Sequence, residues 1–300
     1  MKTLIVGMGS IGVRHAQNFR AQGQDVASCS RRDQPDWNNY STLNEALKKF
    51  EPDYVVIANE TALHHETLET VFANHSGVRS ILVEKPLFAK VPDKALPDTA
   101  KIKVAYNLRF HPLTQKLKTV LQGQTLIGWS SYVGQNLKGW RPQRDYSESY
   151  SAQKEKGGGV LLDLSHEIDL FQFISGRADY VAGYGGKFSS LEIDSEDTFS
   201  LLVKSQNCPH ATIHMNYIDH LTQRHLTLHT NSTTYVLDYI AGTWRDAHGT
   251  ETLKFDRNES YIGLTKAFLA NSDEVCDYQS ALNINRIAQQ AESVSEGRVS

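Results

Sequence analysis

The chain opens with Lys2-Thr3-Leu4-Ile5-Val6 and runs straight into Gly7-Met8-Gly9-Ser10-Ile11-Gly12. An aliphatic run stopped by G-x-G-x-x-G and followed by a helical periodicity reads as a strand, a tight turn and a helix. A doubly wound parallel sheet is the fold built around that unit. Gly7 permits the turn, Gly9 lets the backbone approach a pyrophosphate, and Gly12 lets the helix close on the strand. With Met8, Ser10 and Ile11 between them, they offer the N–H groups of a helix N-terminus to a negative charge. A glycine-rich turn without a ligand has the same letters. The placement between a strand and a helix is what favours a dinucleotide.

The pattern continues in the same style. Strands are expected at 3–6, 25–29, 54–58, 80–83 and 102–105, and helices at 11–21, 42–50 and 63–74. Strands alternating with helices imply a parallel sheet covered on both faces, and hence an NAD(P)-binding Rossmann domain over 1–106. Beyond it the rhythm changes. A helix at 113–121, a strand at 125–135 and a helix at 160–174 precede β-branched and aromatic runs at 180–188, 198–204, 211–217, 224–230 and 233–238. Helices at 261–271 and 281–296 close the chain. The expectation for 107–300 is an α+β substrate domain with a large, open, mostly antiparallel sheet. The last helix is free to pack back on the first domain.

Composition narrows the partners. At 300 residues the chain suits two cores. Its net charge of −3 supplies no basic excess to neutralise a phosphate backbone, so no nucleic-acid partner is expected. Three scattered cysteines, Cys29, Cys208 and Cys276, give neither a disulfide framework nor metal-ligand spacing. No metal is expected, and reduced thiols point to the cytoplasm. The apolar run at 4–6 is too short for a signal-peptide core, and no stretch has the length of a membrane span.

The second expected strand ends Cys29-Ser30-Arg31-Arg32-Asp33. An NAD site usually carries an acid here for the ribose hydroxyls. Ser30 with the planar forks of Arg31 and Arg32 suits a 2′-phosphate better, so NADP is preferred over NAD. Solvated arginines with Asp33 on the ribose are the alternative.

Further along stand Glu84-Lys85-Pro86, Tyr106-Asn107-Leu108-Arg109-Phe110-His111-Pro112 and Gly157-Gly158-Gly159-Val160-Leu161-Leu162-Asp163. With the glycine loop and Ile57-Ala58-Asn59 followed by His64-His65, these motifs resemble the Gfo/Idh/MocA oxidoreductases nearly end to end. The resemblance implies that Lys85 is catalytic, holding and polarising the reacting hydroxyl or carbonyl near the nicotinamide, and that Asn59 and Glu84 border the cofactor. A lysine there answers a real need, because the developing alkoxide must be stabilised. The second cluster is Asp163-Leu164-Ser165-His166-Glu167. On a continuous helix Leu161, Leu164, Ile168 and Phe171 form a core stripe, while Asp163, His166 and Glu167 share another face. Many family members place the histidine four residues after the aspartate; here it is three, and Glu167 holds the fourth position. His166 is read as the general acid/base and Asp163 as a positioning or substrate-binding group, with Glu167 the competing candidate to face the nicotinamide.

Trp140, Arg141, Arg144, Tyr146 and Tyr150 precede that helix. Arginine grips an anion and rings cover the apolar face of a sugar, so these, with Asn107 and Arg109, are the expected substrate contacts. The resemblance implies an NAD(P)-dependent enzyme acting on CH–OH groups of a sugar or nucleotide-linked sugar, possibly acidic, in bacterial surface-glycan biosynthesis. The resemblance also implies a homo-oligomer, dimer or tetramer, formed through the large sheet. Two other readings fit the family: a non-catalytic dinucleotide sensor, and an enzyme using tightly bound NAD transiently for hydrolysis or epimerisation.

Overall fold

A computed structural model describes residues 1–140 and 145–296, and the chain divides into two compact units. The first comprises Met1–Asn107 and Ser260–Ala281; the second comprises Leu108–Glu259 and the chain from Leu282 onward. The expected second domain, an unbroken 107–300, is thus corrected. A segment of 22 residues near the far end of the chain, Ser260–Ala281, belongs with the first unit.

In the first unit, β1 (Lys2–Val6) leads to α1 (Ser10–Ala21), β2 (Asp25–Cys29), β3 (Asn38–Tyr40), α2 (Leu43–Phe50), β4 (Tyr54–Ile57), α3 (His64–Asn74), β5 (Ser80–Val83) and β6 (Ile102–Val104). The sheet order is β6-β5-β4-β1-β2-β3, all parallel. Leu4, Ile5, Val55, Val56, Ile57, Ile81, Leu82 and Val83 are completely buried, as strands covered on both faces require. The strand Cys276–Asp277 adds to the outside of β6, antiparallel. The helix Glu259–Leu269 buries Phe268 edge-on against Phe19 and Tyr54. Strand β3 escapes the sequence pattern. Its two asparagines are poor strand formers, and it is held by pairing with β2 and by the Ser28 hydroxyl, which donates to Asn39 Oδ1 at 2.8 Å.

The second unit contains α4 (Pro112–Val120), β7 (Leu126–Gly134), α5 (Leu137–Trp140), α6 (Val160–Asp163), α7 (His166–Ser175) and then β8 (Asp179–Gly186), β9 (Thr198–Lys204), β10 (His210–Asn216), β11 (Gln223–Thr230), β12 (Thr234–Asp238), β13 (Thr243–Asp246) and β14 (Gly249–Thr252). They form an eight-stranded sheet ordered β14-β13-β12-β11-β7-β10-β9-β8, antiparallel except for the β7–β10 pair. Alternation sets its two faces. Trp129 meets Phe171 of α7 beside buried Ile213, Met215, Leu226 and Leu228, whereas Ile127, Ser130 and Thr212 are exposed.

The helix expected at 160–174 is broken. Val160–Asp163 stops, and a new helix starts at His166. The Ser165 hydroxyl donates to the Leu162 carbonyl at 2.7 Å, and Leu164 sits at φ −101°, ψ 18°. This tightened turn re-aims the side chains on either side of it. The common face expected for Asp163, His166 and Glu167 therefore does not exist.

Candidate active site

In the first unit the order of strands reverses between β1 and β4, the switch point where open parallel sheets bind ligands. The glycine loop leaves β1 there. Gly7 has φ +93°, and a Cβ on it would lie 2.6 Å from the Asn59 nitrogen; a Cβ on Gly12 would strike the Gly7 carbonyl oxygen. Those two glycines are required by the protein itself. Gly9 is different: its φ of −73° suits any residue, and a Cβ there would meet nothing within 4 Å. Its bareness makes sense only for something arriving from outside. Helix α1 begins at Ser10 with no side-chain cap and no acidic residue in its first turn, so its N–H groups and positive dipole end are left for an anion. The chain thus fits a dinucleotide pyrophosphate at Gly7–Gly12. Beside the loop a cleft of about 290 Å³ is lined by Val6, Thr42, Leu43, Asn59, Leu63 and Thr67 among others. Asn59 donates to the Thr67 hydroxyl at 2.9 Å.

Ser30, Arg31 and Arg32 follow β2, and both arginines are exposed. The Ser30 hydroxyl accepts from the Arg32 amide at 3.1 Å, and the Ser30 carbonyl accepts from Asn39. The turn is therefore ordered while its cations stand in solvent.

Glu84-Lys85-Pro86 follows β5, with a cis Lys85–Pro86 bond. Glu84 is anchored on three sides. Its amide donates to the Ile57 carbonyl, its Oε1 lies 2.7 Å from His15 Nε2 on α1, and its Oε2 accepts from the Lys85 amide at 3.2 Å. On the far side of the turn, His64 Nδ1 lies 3.0 Å from the Leu87 carbonyl. Burial lowers the His64 pKa, which keeps that ring neutral. The turn bearing Lys85 is thus clamped between two buried histidines. Asn107, expected to touch substrate, instead donates to the Ser260 hydroxyl at 2.7 Å, with both side chains buried.

In the second unit, Tyr217 donates a 2.6 Å hydrogen bond to Asp163 Oδ2, and both residues are buried. Burial, with Asp163 alongside, pushes the Tyr217 phenol well above its ordinary value, so it acts as a donor. Trp140 meets the Tyr217 ring edge-on at 5.3 Å. His166 starts α7 and is 9% exposed. Glu167 turns inward: its Oε1 lies 3.0 Å from Arg224 Nε, and burial raises its pKa despite that cation. Its carboxylate is engaged by Arg224 inside the unit.

Arg109, another expected substrate contact, is corrected too. Its guanidinium makes bonds of 2.6 to 3.1 Å to Asp169 and lies 4.8 Å from the centre of Phe173. It is 5% exposed, so its fork serves the interior. Tyr146 accepts the Glu192 amide at 3.1 Å and carries Lys138 Nζ 5.4 Å over its ring. Tyr150 is half-buried, beside the Gly157–Gly159 turn, where a Cβ on Gly158 would collide with its carbonyl. Arg141 and Arg144 lie outside the described residues.

Three functional candidates escape the sequence reading: His15, Tyr217 and Glu196. Glu196 Oε1 accepts the Leu161 amide at 3.1 Å, and its carboxylate occupies the space a Cβ on Gly159 would need. Burial pushes its pKa up to about 8. His15 carried a signal, three residues past Gly12 on the helix that closes on the sheet. Tyr217 and Glu196 lie far from the motifs they serve, and only the sheet brings them there.

Two family models match the chain: "Oxidoreductase family, NAD-binding Rossmann fold" over residues 1–101 and "GFO/IDH/MocA C-terminal domain" over 114–236. An uncharacterized oxidoreductase of Streptococcus pneumoniae is 28% identical over 142 residues, 45% of this chain; the match spans only 37% of that relative. Among solved structures, UDP-N-acetylglucosamine 3-dehydrogenase GnnA of Acidithiobacillus ferrooxidans aligns at TM-score 0.76 and 17% identity, covering 99% of this chain and 98% of that one. An NAD binding oxidoreductase of Klebsiella pneumoniae aligns at TM-score 0.82 and 15% identity over 99% and 97%. A levoglucosan dehydrogenase in complex with NADH aligns at TM-score 0.77 and 16% identity over 99% and 96%. At these identities the structures share the fold, and the family models carry the assignment: the chain belongs to the GFO/IDH/MocA oxidoreductase family, with an NAD-binding Rossmann domain at its N-terminus.

Proposed function

We propose that this protein is an NAD(P)-dependent dehydrogenase or reductase acting on a hydroxyl or carbonyl of a sugar-type substrate. The observation that carries the reading is in the first unit: an uncapped, acid-free helix N-terminus behind a bare Gly9, in the same unit as a lysine turn clamped from both sides. Gly7 to Gly12 hold the pyrophosphate. Asn59, with Glu84 and Lys85, borders the nicotinamide end. Arg31 and Arg32, with Ser30, favour a 2′-phosphate and so NADP over NAD.

When bound, the dinucleotide supplies the two-electron acceptor or donor. The side chains do the rest. In the oxidative direction Lys85 donates a hydrogen bond to the reacting oxygen and stabilises the charge that grows there. His166 takes the hydroxyl proton as hydride leaves the carbinol carbon, and in reduction it returns that proton. Asp163, with Tyr217 fixing one oxygen, orients the substrate. Trp140, Tyr146 and Tyr150 offer ring faces to a sugar, and Arg141 and Arg144 offer cations to its anionic groups.

Two of the similar structures are named for UDP-N-acetylglucosamine and levoglucosan, and this supports a sugar. A nucleotide-linked or acidic sugar of a bacterial surface-glycan route, handled in the cytoplasm by a homodimer or homotetramer, is the finer form of the proposal. Wild type and Lys85→Ala should be assayed for NADPH and NADH turnover against UDP-sugars, uronic acids and free sugars. Wild type turns over one class, and Lys85→Ala abolishes turnover while keeping cofactor affinity. Full activity in Lys85→Ala overturns the mechanism. Cofactor binding with no turnover on any class would favour the sensor reading, and a cofactor that co-purifies and never exchanges would favour its transient use.

A further inference from the structure

In the second unit, one side chain from the connection between β8 and β9 meets the start of α6. Val160–Asp163 is a single helical turn, too short to hold its own place. Glu196 holds it. The Val160 amide donates to the Glu196 carbonyl at 3.2 Å, and the Leu161 amide donates to Glu196 Oε1 at 3.1 Å. One residue thus takes two of the N–H groups that open the turn. The fit is close. Gly159 has φ +108°, and a Cβ on it would overlap both carboxylate oxygens of Glu196. The last glycine of Gly157-Gly158-Gly159 is bare because Glu196 fills the space.

The neighbours of Glu196 in sequence reach the other parts of the site. The Asp197 carbonyl accepts the Tyr217 amide at 2.8 Å, and the Tyr217 hydroxyl donates to Asp163 Oδ2 at 2.6 Å. The Ser195 hydroxyl donates to the Ser151 carbonyl at 2.7 Å, and the Asp194 amide donates to the Ala152 carbonyl at 3.0 Å. Asp163 and its donor Tyr217 therefore hang from consecutive residues. Glu196 carries the turn that ends at Asp163, and Asp197 carries Tyr217. Burial pushes the Glu196 pKa up to about 8, and the bond from Leu161 needs only a lone pair on its oxygen. The other charged groups that bear on Glu196 are Lys154 and Glu292, which pair with each other at 2.7 Å.

We propose that Glu196 is a positioning residue for the reaction, which holds the opening turn of α6 and so sets the Asp163 carboxylate against the Tyr217 hydroxyl; this rests on the reading of Asp163 as the group that orients the substrate. A short helix without this anchor is free to shift at its first turn, and its last residue shifts with it.

The test has one arm that needs no substrate. The full-length protein is grown with meta-fluorotyrosine, and its fluorine NMR spectrum is recorded without ligand. The Tyr217 signal is the one missing from Tyr217→Phe. In Glu196→Ala that signal moves by more than its line width. In Glu196→Gln, which keeps an oxygen for the Leu161 amide, it stays at the wild-type position. A loss of stability alone changes how much protein is folded and leaves the signal of the folded molecules in place. In the second arm, on the sugar class that wild type turns over, kcat falls by about tenfold or more in Glu196→Ala. NADPH affinity, followed by fluorescence, stays within about threefold. An unmoved Tyr217 signal or wild-type kcat in folded Glu196→Ala overturns the proposal, as does an equal displacement in Glu196→Gln. Should Glu196→Ala fail to fold, Glu196→Asp, a methylene short of the Leu161 amide, replaces it with the same outcomes. Full turnover in Asp163→Asn would sink the orienting role of Asp163 instead, and is scored separately.

Discussion

Tyr217 donates to Asp163 Oδ2 at 2.6 Å, joining the residue after β10 to the end of α6 across 54 residues of sequence. Both groups are buried, so neither finds water in place of the other. Tyr217→Phe removes the donor and leaves the acceptor, at a cost of about 1.5–3 kcal/mol for a hydrogen bond to a charged group. The expected result is a lower midpoint in denaturant unfolding and a loss of turnover larger than any change in cofactor binding. An unaltered midpoint would show that the bond contributes nothing to folding.

Arg109 and Asp169 form a buried, forked ion pair. Arg109→Met strands a carboxylate in the interior and should cost about 3–5 kcal/mol. The measurement that separates this from substrate binding is thermal unfolding without ligand. A variant with wild-type melting and a raised KM would restore Arg109 to the substrate site.

Glu196 has its pKa raised to about 8, above its ordinary 4.5, chiefly by burial. A folded-state pKa above the unfolded one means that the folded protein holds the extra proton. The associated stability is fully present below about 4.5 and is lost as pH rises through about 8. Unfolding midpoints recorded from pH 5 to 9 should fall more steeply for wild type than for Glu196→Gln, which accepts the Leu161 amide without a charge. Parallel curves would refute the assignment.

Arg31→Ala should weaken NADPH binding by about tenfold or more and leave NADH nearly unchanged, since only the 2′-phosphate needs the guanidinium. A wild type that prefers NADH, with no response to the substitution, would place Asp33 on the ribose.

Local chemistry made much of this legible. The parallel sheet followed from buried aliphatic runs separated by helices, and the glycine loop stated its own turn and helix. Strands β13 and β14 carry polar and exposed residues such as Arg245 and Thr250, so no periodicity betrays them. Helical spacing gave a single helix from Val160 because the core stripe runs through it undisturbed; the break at Leu164 and Ser165 comes from a serine hydroxyl competing for a backbone carbonyl. The fates of Arg109 and Glu167 were hidden for another reason. A charged side chain in a motif reads as available until its buried partner is seen, and Asp169 and Arg224 come from elsewhere in the fold.

The strand Cys276–Asp277 closes the outer edge of β6, and this has a consequence for synthesis. The Rossmann sheet lacks its last neighbour until the chain beyond the second unit's large sheet, as far as Asp277, has left the ribosome. Until then β6 presents bare N–H and C=O groups, an invitation to another nascent chain. The strands of the dinucleotide domain are translated ahead of the large antiparallel sheet yet sealed after it, so a fragment ending near Asn107 would be sticky rather than autonomous, and a chaperone that shields strand edges would raise the yield of folded protein.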